Sequence, residues 1–242
     1  MQKFIRQIAI FGDSVLKGTV FDESKGRYCT LEDNCVKMSS QRLGLEIDNH
    51  SRFGCTAPRG RNSVLKAIKN GLVCDAALIE YGGNDCDFDW TKVASAPDQT
   101  HQPHTPLKEF VTAIQDIIFS LRQKGIAPVL MNLPPIDSKR YFDWITRDGL
   151  NRSNILHWLK DVYYIYRFHE QYSIAVTNLA LEQQCPLIDV HTAFLQRPDY
   201  NALLCADGIH PNQKGHQVML STILSYVKNH ALTVREPSAC PA

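Results

Sequence analysis

Ile8-Ala9-Ile10-Phe11-Gly12-Asp13-Ser14 is the stretch that decides the architecture of this 242-residue chain. Its apolar residues run without interruption and stop at a glycine. A strand with one wet face alternates apolar and polar residues, whereas an unbroken apolar run fits a strand buried on both faces of a parallel sheet. The same pattern recurs downstream. Residues 45–48 make a weak second strand, and residues 76–81 a third, closed by Gly82-Gly83-Asn84-Asp85. Residues 128–133 are a fourth, stopped by Pro134-Pro135, and residues 186–190 a fifth.

Helical spacing fills the gaps. Residues 31–43 carry Val36, Met38 and Leu43; residues 56–72 carry Val64, Leu65, Ile68 and Leu72. Residues 105–124 are the clearest helix: Thr105 as N-cap, Pro106 at the first position, a buried stripe from Phe110 to Leu121, and Gly125 at the end. Residues 171–184 form another helix, and Asn212 caps a last one with Val218, Met219, Ile223, Leu224 and Val227 on one face. Residues 86–106 read as a long loop, residues 136–170 as an aromatic- and Arg-rich segment, and the tail after His230 as loose. Strands alternating with helices give an α/β fold: a five-stranded parallel sheet covered on both faces, with right-handed crossovers.

Composition narrows the class. The chain is 44% hydrophobic and 21% charged, an ordinary globular balance. Its length suits one α/β domain better than two small ones, and should bury about 70% of the surface its unfolded form exposes. A net charge of +1 and the absence of a dense basic run argue against nucleic acid as a partner. No apolar run is long enough to span a membrane. Met1 to Gln7 contain no apolar leader, and the eight cysteines show neither a CxxC pair nor zinc-ligand spacing, so reduced thiols in a cytoplasm are expected. Cys74 and Cys185 border apolar runs and read as core fillers. Nothing in the sequence speaks to oligomeric state.

In parallel sheets chemistry gathers at the carboxyl ends of the strands. Ser14 follows strand one, Gly54 strand two, Asn84 and Asp85 strand three, and the loop Ala206-Asp207-Gly208-Ile209-His210-Pro211-Asn212 strand five. Ser14, Asp207 and His210 make a plausible triad: His210 takes the serine proton, while Asp207 orients the ring and stabilises the imidazolium. The backbone N–H groups of Ser14 and Gly54 and the Asn84 amide could receive a developing oxyanion. Gly54 would let the backbone approach a ligand closely.

Gly12-Asp13-Ser14, Asn49 ahead of Gly54, Gly82-Gly83-Asn84-Asp85 and Asp207-Gly208-Ile209-His210-Pro211-Asn212 together, in this order, resemble the SGNH, or GDSL-type, hydrolases. The resemblance covers the sheet framework and the loops at its edge, and is not close over residues 86–106 and 136–170. It implies a flavodoxin-like three-layer α/β/α sandwich spanning residues 1–242, with the segment around 136–170 as a candidate substrate lid. It implies a serine esterase acting on a small-molecule ester (acyl lipid, thioester, aryl ester or acetylated sugar) with no metal and no cofactor. By position, Ser14 looks like the nucleophile, His210 the base, Asp207 its orienting acid, and Gly54 and Asn84 the oxyanion donors. Val15-Leu16-Lys17 departs from the small or polar residues frequent after that serine, and Lys17 is expected to narrow or charge the pocket mouth.

Plainer roles suit the other polar residues. Asp13 and Asp85 read as loop braces, His216 as a packing residue, and His101 and His104 as solvated. Cys55, Cys86 and Cys205 have no evident base and read as passive. Trp90 is expected in the pocket wall; Trp144, with Trp158, Tyr163, Tyr164 and Tyr166, either packs helices or lines a groove. Two other functions fit some of these residues. A metal-dependent phosphoesterase would use Asp13, Asp85, Asp207 and His210 as ligands and leave Gly54 and Asn84 idle. A non-catalytic binding module would keep the fold without turnover. A dinucleotide site is excluded, because Gly-Asp-Ser after strand one lacks the glycines a pyrophosphate needs.

Overall fold

The computed structural model describes residues 5–229. The elements, in order, are β1 (Gln7–Gly12), α1 (Ser14–Lys17), β2 (Thr19–Asp22), β3 (Arg27–Thr30), α2 (Cys35–Leu43), β4 (Glu46–Asn49), α3 (Ala57–Lys69), β5 (Ala76–Glu80), α4 (Trp90–Ser95), α5 (Leu107–Arg122), β6 (Ala127–Met131), α6 (Ser138–Thr146), α7 (Arg152–Leu159), α8 (Tyr163–Glu182), β7 (Leu187–Ile188), α9 (Val190–Leu195) and α10 (Gln213–Asn229). Five strands form one sheet in the order β4-β1-β5-β6-β7, and every pairing is parallel.

The unbroken apolar runs behave as expected, because successive side chains of a strand leave on opposite faces. Ala9, Phe11, Ala77, Ile79 and Leu130 join α3, α5 and α8 in one buried cluster. Ile10, Leu78, Met131 and Ile188 join α2, α9 and α10 in another. The outcome is a three-layer α/β/α sandwich. The chain winds outward from β1 first to β4 and then to β5, so the sheet order reverses at β1. The crevice beyond the carboxyl end of such a strand is where α/β sheets bind ligands. A third buried cluster, built from α4, α6, α7 and the first turns of α8, lies outside the two sheet-facing ones.

Several boundaries differ from the sequence expectation. The loop of residues 86–106 contains α4, capped by the Asp89 carboxylate on Lys92 N–H. The aromatic segment holds two complete helices, α6 and α7, and α8 begins at Tyr163 rather than near residue 171. The fifth strand shrinks to Leu187–Ile188, because Asp189 turns the chain: its carboxylate accepts from Thr192 N–H at 2.9 Å and from the Asn132 amide at 2.7 Å. In α2 the helix starts only after Asn34, whose side chain accepts from Val36 and Lys37 N–H. Thr105 does not cap α5; Pro106 occupies the cap position, and no side chain bonds there. Asn212 does cap α10, accepting from Lys214 N–H at 2.9 Å and Gly215 N–H at 3.2 Å. Residues 15–30, not assigned at the sequence level beyond Lys17, contain the antiparallel β2–β3 hairpin. The tail after His230, with Cys240, lies outside the described residues.

Candidate active site

The sheet edge brings Ser14, His210 and Asp207 together. The Ser14 hydroxyl lies 2.9 Å from His210 Nε2, and His210 Nδ1 lies 2.6 Å from Asp207 Oδ2. A carboxylate can only accept, so it fixes the Nδ1–H tautomer and leaves Nε2 to accept the serine proton. The loop holding the acid is self-bracing: Asp207 Oδ1 accepts from the N–H groups of Ile209 and His210, each at 3.1 Å. Burial alone would raise the Asp207 carboxyl. The bond and charge of His210 and these backbone donors outweigh burial and hold it below its ordinary value.

Ser14 starts α1 in the turn after β1. Its N–H occupies the first helical position, where no intrahelical acceptor exists. Asp13 caps the helix, its Oδ1 accepting from Val15 N–H at 2.8 Å, while Oδ2 accepts from the Asn84 amide at 2.9 Å. Beneath lies Glu80, the last residue of β5, whose Oε2 is 3.4 Å from Asp13 N. Both carboxyls are about 1% exposed. Burial raises both, and the Asp13 charge raises Glu80 further, so Glu80 is the one that keeps a proton. Glu80 accepts from the Asp13 backbone N–H, which leaves the Asp13 carboxylate to hold Val15 N–H and Asn84.

Gly54 sits in the loop after β4 with φ +67°, a left-handed conformation that L side chains rarely adopt. A Cβ there would meet nothing within 4 Å, so conformation rather than space calls for glycine. The Asn84 amide is 3.4 Å from the carbonyl of Cys55, the next residue along, which sets Asn84 beside this loop. Asn49 ties the same loop to α1: its Oδ1 accepts from Ser51 N–H at 2.9 Å and its amide donates to the Leu16 carbonyl at 3.0 Å. Asp85 braces loops as expected. Both of its oxygens accept from Ala57 N–H at the start of α3, at 2.9 and 3.1 Å, replacing the cap that Thr56 does not supply. Burial pushes the Asp85 carboxyl up to about 6.

Ser14 and His210 open into a cavity of about 580 Å³. Trp90 and Trp144 both line it, together with Tyr28, Phe53, Phe88 and Phe168. Trp90 is more deeply packed than a free wall residue: it belongs to the third cluster, and its indole N–H donates to Asp87 at 2.8 Å. Asp87 also accepts from the Tyr141 hydroxyl at 2.6 Å. Trp144 stands edge-on to Phe21 with centroids 4.5 Å apart, and the Arg147 guanidinium lies 3.4 Å over its ring.

A family model describing the GDSL-like lipase/acylhydrolase family matches residues 10–218. The chain belongs to that family. A GDSL esterase/lipase of Arabidopsis thaliana is 26% identical over 230 residues, covering 92% of this chain. The chain spans between 52% and 64% of the length of the curated relatives it matches. Among solved structures, the lipase/acylhydrolase of Enterococcus faecalis superposes with a TM-score of 0.65 at 19% identity, covering 96% of this chain and 100% of that one. A catalytic mutant of an acetylxylan esterase from Geobacillus stearothermophilus gives 0.63 at 17% identity, covering 98% and 100%. At such identities these likenesses speak to the fold, and they agree with the SGNH-type sandwich.

Within this GDSL-like chain, some of the other residues fall where the sequence put them and some do not. Lys17 is exposed at the end of α1 and does not line the cavity. Gly54 does not line it either, although Phe53 beside it does. His104 is exposed but not merely solvated: its Nδ1 is 3.1 Å from the Asn84 carbonyl. His101 packs edge-on against Trp158, with Nε2 2.9 Å from the Ala96 carbonyl. His216 is wholly buried, and its Nδ1 accepts from Cys35 N–H at 3.3 Å. Burial raises the thiols of Cys55, Cys86 and Cys205, the last to about 11, which disfavours the reactive thiolate. Among the described residues no group of three or more His, Cys, Asp or Glu side chains is arranged to hold a metal ion, and no helix is long and apolar enough to cross a membrane. Sequence reading missed Glu80, Phe53, Phe88 and Phe168, and also Tyr28, whose hydroxyl is 3.1 Å from Asp207 Oδ2. Alternation around the turn Asp22-Glu23-Ser24-Lys25-Gly26 was the available signal for Tyr28.

Proposed function

We propose that this protein hydrolyses carboxylic esters of small molecules through an acyl-enzyme on Ser14. The observation that carries the reading is the continuous line from the Ser14 hydroxyl through the His210 ring to Asp207, at 2.9 and 2.6 Å, opening into the aromatic cavity. The serine oxygen attacks the acyl carbon while His210 Nε2 takes its proton, and Asp207 stabilises the imidazolium. Charge developing on the carbonyl oxygen is met by the N–H groups of Ser14 and Gly54 and by the Asn84 amide. The intermediate collapses, His210 returns the proton to the leaving alcohol, and the acyl group stays on Ser14. Water, activated by the same imidazole, then releases the carboxylic acid.

The cavity volume lies within the range of small-molecule sites, which supports a small or medium substrate rather than a polymer buried along its length. In this reading the segment around residues 136–170 acts as the substrate wall, through Trp144 and Arg147 of α6 and the turn after it and Phe168 of α8. Metal-assisted phosphoester cleavage fits less well, since Asp13, Asp85 and Asp207 already accept hydrogen bonds from Asn84, Ala57 and His210. A screen of p-nitrophenyl esters from acetate upward, with acetylated sugars alongside, tests the proposal. Turnover that disappears in Ser14→Ala and His210→Ala is expected. Undiminished turnover in Ser14→Ala would refute it.

A further inference from the structure

We infer that Tyr28 is a positioning residue for the acid of the triad, an inference that rests on the esterase reading above. Asp207 Oδ2 is shared by two donors: His210 Nδ1 at 2.6 Å and the Tyr28 hydroxyl at 3.1 Å. With Oδ1 taken by two backbone N–H groups, the carboxylate has a defined partner on every side and no freedom to turn from the ring. The phenol comes from β3, an element outside the main sheet, and its ring also packs at a tilt against the imidazole, with centroids 5.2 Å apart. Phe53 and Trp144 flank the same ring at 5.3 and 6.3 Å, so the hairpin, the aromatic wall and the acid meet on one side chain.

The chemistry gives the donation a direction. A donor on Oδ2 draws negative charge away from the oxygen that faces His210, so the carboxylate stabilises the imidazolium less than it would alone. Removing the hydroxyl therefore has two effects. The acid is held less firmly, which slows the reaction, and the ring becomes easier to protonate, which moves the acid side of the pH profile upward; Asp13 and His216, the other titratable groups that act on this ring, are the same in the variant.

The test is the rate at which a fluorophosphonate labels Ser14, measured against pH, because that rate needs no knowledge of the natural ester. In Tyr28→Phe the ring and its packing remain. The plateau rate is expected to fall about fivefold, and the acid limb to move up by about half a pH unit, each a fraction of the worth of one hydrogen bond at a charged acceptor, because His210 and the two backbone N–H groups still hold the carboxylate. Phe21→Leu, which removes the ring packed edge-on against Tyr28 at 5.3 Å but keeps the phenol hydroxyl, is expected to lower the melting temperature and leave the limb in place. A wild-type limb in Tyr28→Phe, or an equal shift in both variants, overturns the inference while the esterase reading stands. A folded wild type that is not labelled at all removes both.

Discussion

The side-chain amide of Asn84 donates to Asp13 Oδ2 at 2.9 Å, so the residue beside Ser14 fixes a donor that comes from a different strand end. Asp13 is tied in turn to Val15 N–H and rests on Glu80, which keeps its proton. The two halves of the sheet edge, after β1 and after β5, are thereby tied to each other.

Asn84→Ala should lower kcat for an activated ester by about 10²- to 10³-fold, the usual cost of one oxyanion donor, with KM little changed. Asp13→Asn removes the anchoring charge but not the donor, so its loss of kcat should be smaller. Steady-state kinetics of the two variants check the order, and equal losses would mean that Asp13 does more than hold Asn84.

The Asp85 carboxyl makes stability depend on pH in an unusual direction. It titrates near 3.8 when unfolded and at about 6 in the fold, because burial disfavours its charge. Between those values the folded chain holds a proton that the unfolded chain has lost. The stability from this group is therefore complete below the lower value and is lost as pH rises through the upper one, by on the order of 3 kcal/mol. Asp85→Asn cannot titrate. Urea unfolding at pH 4 and pH 7 should show the wild type losing more ground relative to this variant at pH 7. A difference that is the same at both values would contradict the raised carboxyl.

Trp144 packs on Phe21 and carries Arg147 on its face, yet belongs to the wall rather than the reacting line. Trp144→Ala should raise KM for esters large enough to reach it, with a smaller change in kcat. A series of esters of increasing size reads this directly: the effect should grow with size.

Activity should persist after prolonged dialysis against a chelator and should not rise on adding a divalent cation. A metal-held mechanism predicts the reverse, since an enzyme dependent on a bound ion loses activity with it.

Most of the framework was legible because its signals are strong and local. The runs Ile8 to Phe11 and Ala76 to Ile79 are apolar without interruption, and that pattern leaves few options besides a two-sided buried strand. Ser14, Asn84, Asp207 and His210 were legible because each follows such a strand or its connecting loop. The hairpin was not read because it lies outside the sheet and is only half-buried, which weakens the alternation of Val20, Phe21 and Tyr28. The break between α7 and α8 was hidden for another reason. It is made by Lys160 at φ 68°, a left-handed residue that is not a glycine and so gives no warning in the sequence.

The most direct test of the proposed chemistry is rapid-quench intact mass spectrometry of the protein mixed with p-nitrophenyl acetate, followed by peptide mapping. A transient mass increase of one acetyl group, located on Ser14 and absent from Ser14→Ala, is the expected result. Ester turnover with no acyl adduct on Ser14 at any quench time, or an adduct formed equally in Ser14→Ala, would contradict it.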